Sequence, residues 1–284
     1  MQQIKEITLQ KYKNQQFQDF TDSLAIEEPL EIRLNYGLLQ NRQKMSLAVT
    51  MRTPGNDENL VAGFLLTEGI IQGREDLIST KKIATKHADS KGNIVLAELS
   101  PNAIFDPATL ERHFYTTSSC GICGKTSIEA VQTNSCFDLP KKKFEISPET
   151  LLDLPKKLEK HQSVFTKTGG IHAAALFNKN GDLLLVREDI GRHNAVDKLI
   201  GAAMHKYPFP LSDYLILVSG RAGFELIQKS LMAGIPYLAA VGAPSSLAVS
   251  LAREAGMNLV GFLRNGSFNV YSSSIDVQIN GIGC

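Results

Sequence analysis

Apolar positions recur along this chain in two rhythms, and the change from one to the other divides it. In the early part they alternate with polar residues. Residues 24–34 (Leu-Ala-Ile-Glu-Glu-Pro-Leu-Glu-Ile-Arg-Leu) show this strand-like alternation, and Pro29 within them predicts an edge strand, because proline cannot donate to a ladder. Met45 to Met51 predicts a second strand with Leu47, Val49 and Met51 on one face. Thr53-Pro54-Gly55-Asn56-Asp57 then breaks the chain. Beyond it, Val61, Phe64, Leu65 and Glu68 are spaced for a helix over residues 58–71, with one apolar stripe and a charged margin. Residues 79–100 read as two short strands around Asp89-Ser90-Lys91-Gly92-Asn93. The first 25 residues carry no recognisable signal.

The later part alternates strands with helices. After a polar Ser/Thr run, Lys125 to Gln132 has helical spacing, and Pro140-Lys141-Lys142-Lys143 reads as a solvated turn. Ser147 is placed as an N-cap with Pro148 at the first helical position. Strands are predicted at Ile171 to Phe177, Leu183 to Val186, Tyr214 to Val218, Tyr237 to Val241 and Leu259 to Leu263. Helices are predicted at Asn194 to Met204, Phe224 to Met232 and Ser246 to Ala255. Asn180-Gly181 and Asn265-Gly266 mark hairpin turns. This succession predicts an α/β fold with a largely parallel sheet covered by helices. The expected division is a β-rich α+β segment over residues 1–115 and an α/β domain over residues 116–284.

Composition narrows the function. The chain has 284 residues, 43% hydrophobic and 21% charged, with 30 Lys plus Arg against 29 Asp plus Glu and a net charge of +1. That balance argues against a nucleic-acid coat or a membrane-surface protein, both of which are strongly basic. A local basic pocket for one anion stays open. The N-terminus lacks the apolar run of a secretory signal, and no apolar stretch is long enough to span a bilayer. A cytoplasmic protein is expected.

Of the four cysteines, Cys136 and Cys284 read as bystanders. Cys120 and Cys123 carry the chemistry, in Thr-Thr-Ser-Ser-Cys-Gly-Ile-Cys-Gly-Lys. A helix start just beyond them and Lys125 nearby both favour thiolate, drawing the thiols down from about 8.5. A structural zinc site needs four ligands, commonly two such pairs, and here there is one. A thioredoxin-type pair follows an apolar strand, which this one does not. A sulfur carrier needs an uncovered, ionisable thiol on a loop that can visit two partners, and the segment fits that best. Inert thiols would sit among apolar residues, not glycine and serine. Zinc deaminases carry His-x-Glu ahead of Pro-Cys-x-x-Cys; here neither His172 nor His193 begins such a motif. No metal site is predicted.

Other candidates lie at strand-to-helix turns, where α/β sheets bind ligands. Arg187 to Lys198 (Arg-Glu-Asp-Ile-Gly-Arg-His-Asn-Ala-Val-Asp-Lys) is dense in ionisable groups, and His193 is spaced to pair with Asp197 one turn on. Its plain alternative is a salt-bridged helix start, but Gly169-Gly170-Ile171-His172 places a second histidine beside a turn. Ser219-Gly220-Arg221 sits where backbone N–H groups and an arginine can hold phosphate. Ser245 or Ser246 serves as a helix cap. Arg264 ends a strand where it can meet an anion.

Taken together, Ser118 to Lys125, Thr168 to Ala173, Arg187 to Lys198, Ser219-Gly220-Arg221, Gly234-Ile235-Pro236 and Phe262 to Ser267 resemble the formate dehydrogenase accessory sulfurtransferase (FdhD) family, over roughly Ile26 to Tyr271. The resemblance implies a cytoplasmic sulfurtransferase. It would accept sulfur from a cysteine desulfurase and pass it to a molybdenum cofactor, bis-molybdopterin guanine dinucleotide, bound as substrate through a GDP-like moiety and destined for formate dehydrogenase. It also implies a cytidine deaminase-like three-layer α/β/α core with a smaller β-rich N-terminal domain, and a homodimer. Cys120 would carry the persulfide and Cys123 would be its partner. Phe262, Leu263, Arg264, Asn265, Gly266 and Ser267 match the cofactor-binding segment, and His172, His193, Ser219, Gly220 and Arg221 complete the expected cofactor-binding set. Two other classes remain: a cofactor-binding chaperone without thiol chemistry and a thiol–disulfide oxidoreductase.

Overall fold

The computed structural model describes residues 2–83, 92–107, 139 and 144–273. The cysteine segment, the helix expected at Lys125 to Gln132 and the lysine turn lie outside the described residues, as do Cys136 and Cys284.

The protein is mixed α/β with three sheets. Strands β1 (Ile4–Lys13) and β2 (Gln16–Ala25) form an antiparallel ribbon. Its turn residues Asn14 and Gln15 both have positive φ, 53° and 62°. The sequence showed nothing here because neither turn residue is glycine and the ribbon adds no residue to a buried core.

A four-stranded sheet follows, in the order β4-β3-β6-β5. It comprises β3 (Glu28–Tyr36), β4 (Gln43–Arg52), β5 (Leu77–Lys82) and β6 (Ile94–Leu99). Strand β3 is internal, not at the edge. Pro29 is tolerated because β6 pairs with β3 only from Glu31 onward. The shared face expected for Leu47, Val49 and Met51 also fails. Pairing passes from Ile32↔Ala48 to Arg33↔Ser46, so Leu47 is an extra residue in a bulge. Leu47 is buried while Val49 and Met51 are exposed. Helix α1 (Asp57–Thr67) is shorter than expected and stops at Glu68, before Gly69 at φ 73°. Leu60, Val61, Ala62, Leu65 and Leu66 are all fully buried, so it is an internal helix and not a one-stripe surface helix.

The third sheet has the order β12-β11-β10-β9-β7-β8. Its strands are β7 (His172–Asn178), β8 (Leu183–Asp189), β9 (Tyr214–Val218), β10 (Tyr237–Ala240), β11 (Asn258–Arg264) and β12 (Ser267–Ser272). Only β9, β10 and β11 pair in parallel with one another; β7 and β12 run antiparallel to their neighbours. The sheet is therefore mixed, because two tight hairpins bound it and the connection from β8 to β9 passes over β7. Its helices are α2 (Pro148–Glu159), α3 (Ser163–Thr168), α4 (Arg192–Lys206), α5 (Phe224–Met232) and α6 (Ser246–Glu254). Ser147 caps α2 through the N–H of Thr150 (3.2 Å), and Ser245 caps α6 through that of Ala248 (3.3 Å), as expected.

Both faces of this sheet are buried, which is why β7 reads as a continuous apolar run and not as an alternation. Ala173, Ala175 and Phe177 face Leu151, Leu154 and Leu158 of α2. Ala174 and Leu176 face the opposite core, which holds Val196 and Leu199 of α4 and Leu226 of α5. That second core continues without a break through Leu60 and Leu65 of α1 to Leu30, Ile32 and Leu34 of β3. Helices α1 and α4 cross at backbone contact. A Cβ on Gly63 would stand 1.9 Å from the carbonyl oxygen of Asp197, and one on Gly201 would stand 2.0 Å from that of Asn59.

Candidate functional site

The strand directions bring one set of ends together. The start of β7 and the ends of β8, β9, β10 and β11 share a single edge of the large sheet. Helices α4 and α5 begin there, on Gly191 and Gly223, with no side-chain cap on either. Helices begun this way present backbone N–H groups and the positive end of the dipole.

Backbone bonds knit the edge. Gly242 N–H donates to the Gly220 carbonyl and Phe262 N–H to the Gly242 carbonyl, each at 3.0 Å. Ser219 holds the start of β7 at both ends: its Oγ accepts from Ala173 N–H and its N–H donates to the Ala173 carbonyl, each at 2.9 Å. Gly242 is needed for this closeness, since a Cβ there would stand 2.9 Å from the Gly220 oxygen.

On this frame sits a cationic cluster. His172 lies against Gly220, whose absent Cβ would be 3.2 Å from Nδ1. Partial desolvation, then the proximity of Arg192, His193 and Arg221, push the His172 imidazole below the ordinary histidine range. Arg192 opens α4 and reaches toward Gly223, at 3.8 Å from where its Cβ would be. His193 does not pair with Asp197. Its Nε2 lies 2.5 Å from Oε2 of Glu225, near the start of α5, with 16% and 13% of the two side chains exposed.

Most of the charged run around His193 serves structure. Lys198 and Asp189 form an ion pair at 2.6 Å, both fully buried. Asp189 also accepts from the N–H groups of Thr53 (3.2 Å) and Gly191 (2.8 Å), and Lys198 donates to the Thr53 carbonyl (2.7 Å). Burial draws Lys198 below the ordinary lysine range despite this partner. Asp197 accepts from Thr67 at 2.8 Å and meets Lys229 at 3.0 Å, one turn further along α4 and α5 from the His193–Glu225 contact. Burial opposes charge on Lys229, but Asp197 and Glu68 hold it above the ordinary range. Glu188 accepts from the N–H groups of Val164 (3.1 Å) and Phe165 (2.9 Å). The run therefore ties α4 to α1, α5 and the residue after β4, ties β8 to α3, and leaves Arg192 and His193 at the edge.

Strand β11 extends past β10. Phe262 adopts φ 52°, an unfavourable region for a side chain of its size, and Arg264 lies over its ring at 5.6 Å. Leu263 is fully buried in the core beneath α2, so only its backbone faces the edge. Asn265 and Gly266 form the exposed hairpin turn, and Ser267 Oγ donates back to the Arg264 carbonyl at 3.3 Å. Thus His172, His193, Ser219, Gly220 and Arg221 form one cluster, Phe262 joins it through Gly242, and residues 264–267 project beyond it. Cys120 and Cys123 lie outside the described residues.

Arg192 and Glu225 also belong to this cluster, and the sequence assigned neither a role. Arg192 sat unremarked inside the charged run. Glu225 follows a glycine turn, which alone does not reveal a partner on another helix.

The edge brings arginines, histidines and two helix starts together, residue types and backbone ends that favour anions. Among the described residues no helix is long and apolar enough to cross a membrane.

Comparison with known proteins completes the description. A family model described as FdhD/NarQ matches residues 25–277. A sulfur carrier protein FdhD from Streptomyces coelicolor is 52% identical over 263 residues, 91% of this chain and 90% of its own. One from Mycobacterium tuberculosis is 50% identical, with coverage of 88% and 90%. One from Sulfurisphaera tokodaii is 41% identical, with coverage of 95% and 97%. A crystal structure of a formate dehydrogenase accessory protein from Desulfotalea psychrophila aligns with TM-score 0.71 at 22% identity, covering 96% of this chain and 98% of that one, and shares the fold.

Proposed function

This chain belongs to the FdhD/NarQ family, and from that premise we propose that it is a sulfur carrier acting as a sulfurtransferase in formate dehydrogenase maturation. Its thiol Cys120 takes sulfur as a persulfide from a cysteine desulfurase: the thiolate attacks the donor's outer sulfur, a new S–S bond forms and the donor's cysteine thiolate leaves. The acceptor is the molybdenum cofactor bis-molybdopterin guanine dinucleotide, bound as substrate. Release of the outer sulfur as sulfide takes two electrons, which Cys123 can supply by closing a disulfide with Cys120.

The observation that carries the cofactor reading is the convergence of His172, Arg192, His193 and Arg221 with two uncapped helix starts on one sheet edge. Phosphates of a guanine nucleotide fit that set. Phe262, with Arg264 on its ring, supplies an apolar wall at the far end, and the turn at Asn265, Gly266 and Ser267 its outer lip. The remaining parts of the proposal are a cytoplasmic homodimer, a core of the cytidine deaminase-like three-layer type in residues 116–284, and a β-rich N-terminal unit in residues 1–115.

Incubating the full chain with a desulfurase and cysteine, followed by mass spectrometry, tests it. The expected result is a gain of one sulfur on the peptide holding Cys120. The C120A variant should fold and bind GDP as wild type does, yet give no active formate dehydrogenase. Full activation by C120A would reject the carrier role and leave a cofactor chaperone.

A further inference from the structure

The break between β4 and α1 opens on Thr53, which is fully buried and belongs to neither a strand nor a helix. Left-handed Gly55 and Asn56, at φ 106° and 55°, turn the chain into α1 just after it. Each polar atom of Thr53 is taken up by the distant charged run. Its N–H donates to Oδ2 of Asp189 (3.2 Å), its Oγ1 accepts from Ile190 N–H (3.2 Å) and its carbonyl accepts from Nζ of Lys198 (2.7 Å). Two residues earlier, the Met51 carbonyl accepts from Nδ2 of Asn194 at 2.7 Å. These bonds surround the start of α4. Ile190 and Gly191 precede the helix, and Arg192 is its first residue. Asp189, held by Thr53, accepts in turn from Gly191 N–H at 2.8 Å. Rotating the peptide plane between Asp189 and Ile190 would break the bond to Oγ1, so that bond fixes the backbone two residues ahead of Arg192.

Resting on the nucleotide reading above, we infer that Thr53 is a positioning residue for the anion site. Its hydroxyl sets the direction in which Arg192 leaves the sheet edge, and so the approach of the guanidinium to a nucleotide phosphate. Fully buried, Thr53 acts through Arg192 and not on the ligand. Of its three bonds to the run, only the one at Oγ1 depends on the residue type. Valine keeps the size, the β-branch and both backbone bonds, but offers Ile190 N–H no acceptor. Serine keeps the acceptor and gives up a buried methyl group. The two substitutions therefore separate the hydroxyl from the packing. A bidentate arginine–phosphate contact has a fixed fork geometry, so a small turn of the backbone beneath Arg192 weakens it.

The test is calorimetry of GDP binding to the full chain, with thermal melting of each variant to check that it folds. T53V is expected to bind about tenfold more weakly than wild type, some 1.4 kcal/mol. T53S is expected to bind as wild type does, although loss of the methyl group lowers its melting temperature. A merely structural role predicts instead that affinity follows stability in both. A double-mutant cycle then asks whether Thr53 works through Arg192. R192Q should weaken binding by itself, and should weaken it less in the T53V chain, where the arginine is already misplaced. If T53V does not melt cooperatively, T53A takes its place in both comparisons, since it also lacks the hydroxyl. Unchanged affinity in T53V, an equal loss in T53S, an R192Q chain that binds as wild type, or losses that simply add would overturn the inference and leave the nucleotide site standing. Absence of GDP binding by the wild type would sink the nucleotide reading, and this inference with it.

Discussion

Asp57 is the first residue of α1 and has 1% of its surface exposed. Burial favours its neutral form, yet Arg52 donates to both its oxygens, at 3.0 and 3.2 Å, and Lys82 lies 2.6 Å from one of them. These partners, together with burial's opposing effect, leave the carboxyl below the ordinary aspartate range. A lowered folded-state value means that the ionised group contributes stability above the unfolded value, near 4, and that this is lost as pH falls through the folded value. Removing the charge leaves the fully buried Arg52 with Glu28, at 3.4 Å, as its remaining carboxylate, beside the Asn93 amide oxygen at 2.8 Å. Asp57→Asn is therefore expected to cost about 3–5 kcal/mol near pH 7. The gap to wild type should narrow as pH drops below about 4. Urea denaturation across that range measures both, and a gap that stays constant with pH would contradict the assignment.

The α1–α4 crossing sets the geometry of the edge at the scale of elements. Helix α4 delivers Arg192 and His193, and its height over the sheet is limited by α1 packed on its other side. Gly63 and Gly201 let the two backbones touch. A methyl group at either position meets a carbonyl oxygen at about half the normal contact distance, and two helices must part to admit it. Gly201→Ala is expected to lose about 3 kcal/mol, at the upper end for overpacking. It should also weaken GDP binding, because α4 carries Arg192 and His193 to the proposed nucleotide edge. A variant with wild-type denaturation and wild-type binding would show that the crossing is looser than described.

Across the whole molecule, the β1–β2 ribbon stands apart from the other two sheets. Among the described residues none before Leu30 is a buried hydrophobic one. Its ties at the base include Ile26 N–H to the Gln3 carbonyl (2.9 Å) and Gln3 Nε2 to the Pro54 carbonyl (3.0 Å). The family model begins at residue 25, just beyond it. Deleting residues 2–24 is expected to move the melting temperature by only a few degrees, consistent with a change near 1 kcal/mol in a chain of this size. Differential scanning calorimetry of the two chains checks this, and a collapse of the transition would place the ribbon in the cooperative unit.

Local order decides how much of this could be read from residue types alone. The strands and helices between Tyr214 and Arg264 are legible because each consists of a run with one period, closed by glycine or a capping serine, and such signals act within a few residues. The rarity of the charged run from Arg187 to Lys198 is visible in the same way. Its division of labour is not. Whether Asp197 meets His193 or Lys229, and whether His193 meets Glu225, depends on three helices crossing, and partners 32 residues apart leave no periodic trace. The inversion at Leu47 and the internal place of β3 were likewise hidden, since a bulge and a strand's neighbours follow from how the ladder pairs. Chain chemistry thus dictates which segments form and which groups can ionise. Burial, charge partners and the shared edge arise only when distant segments pack, because desolvation and Coulomb attraction act through space and not along the chain.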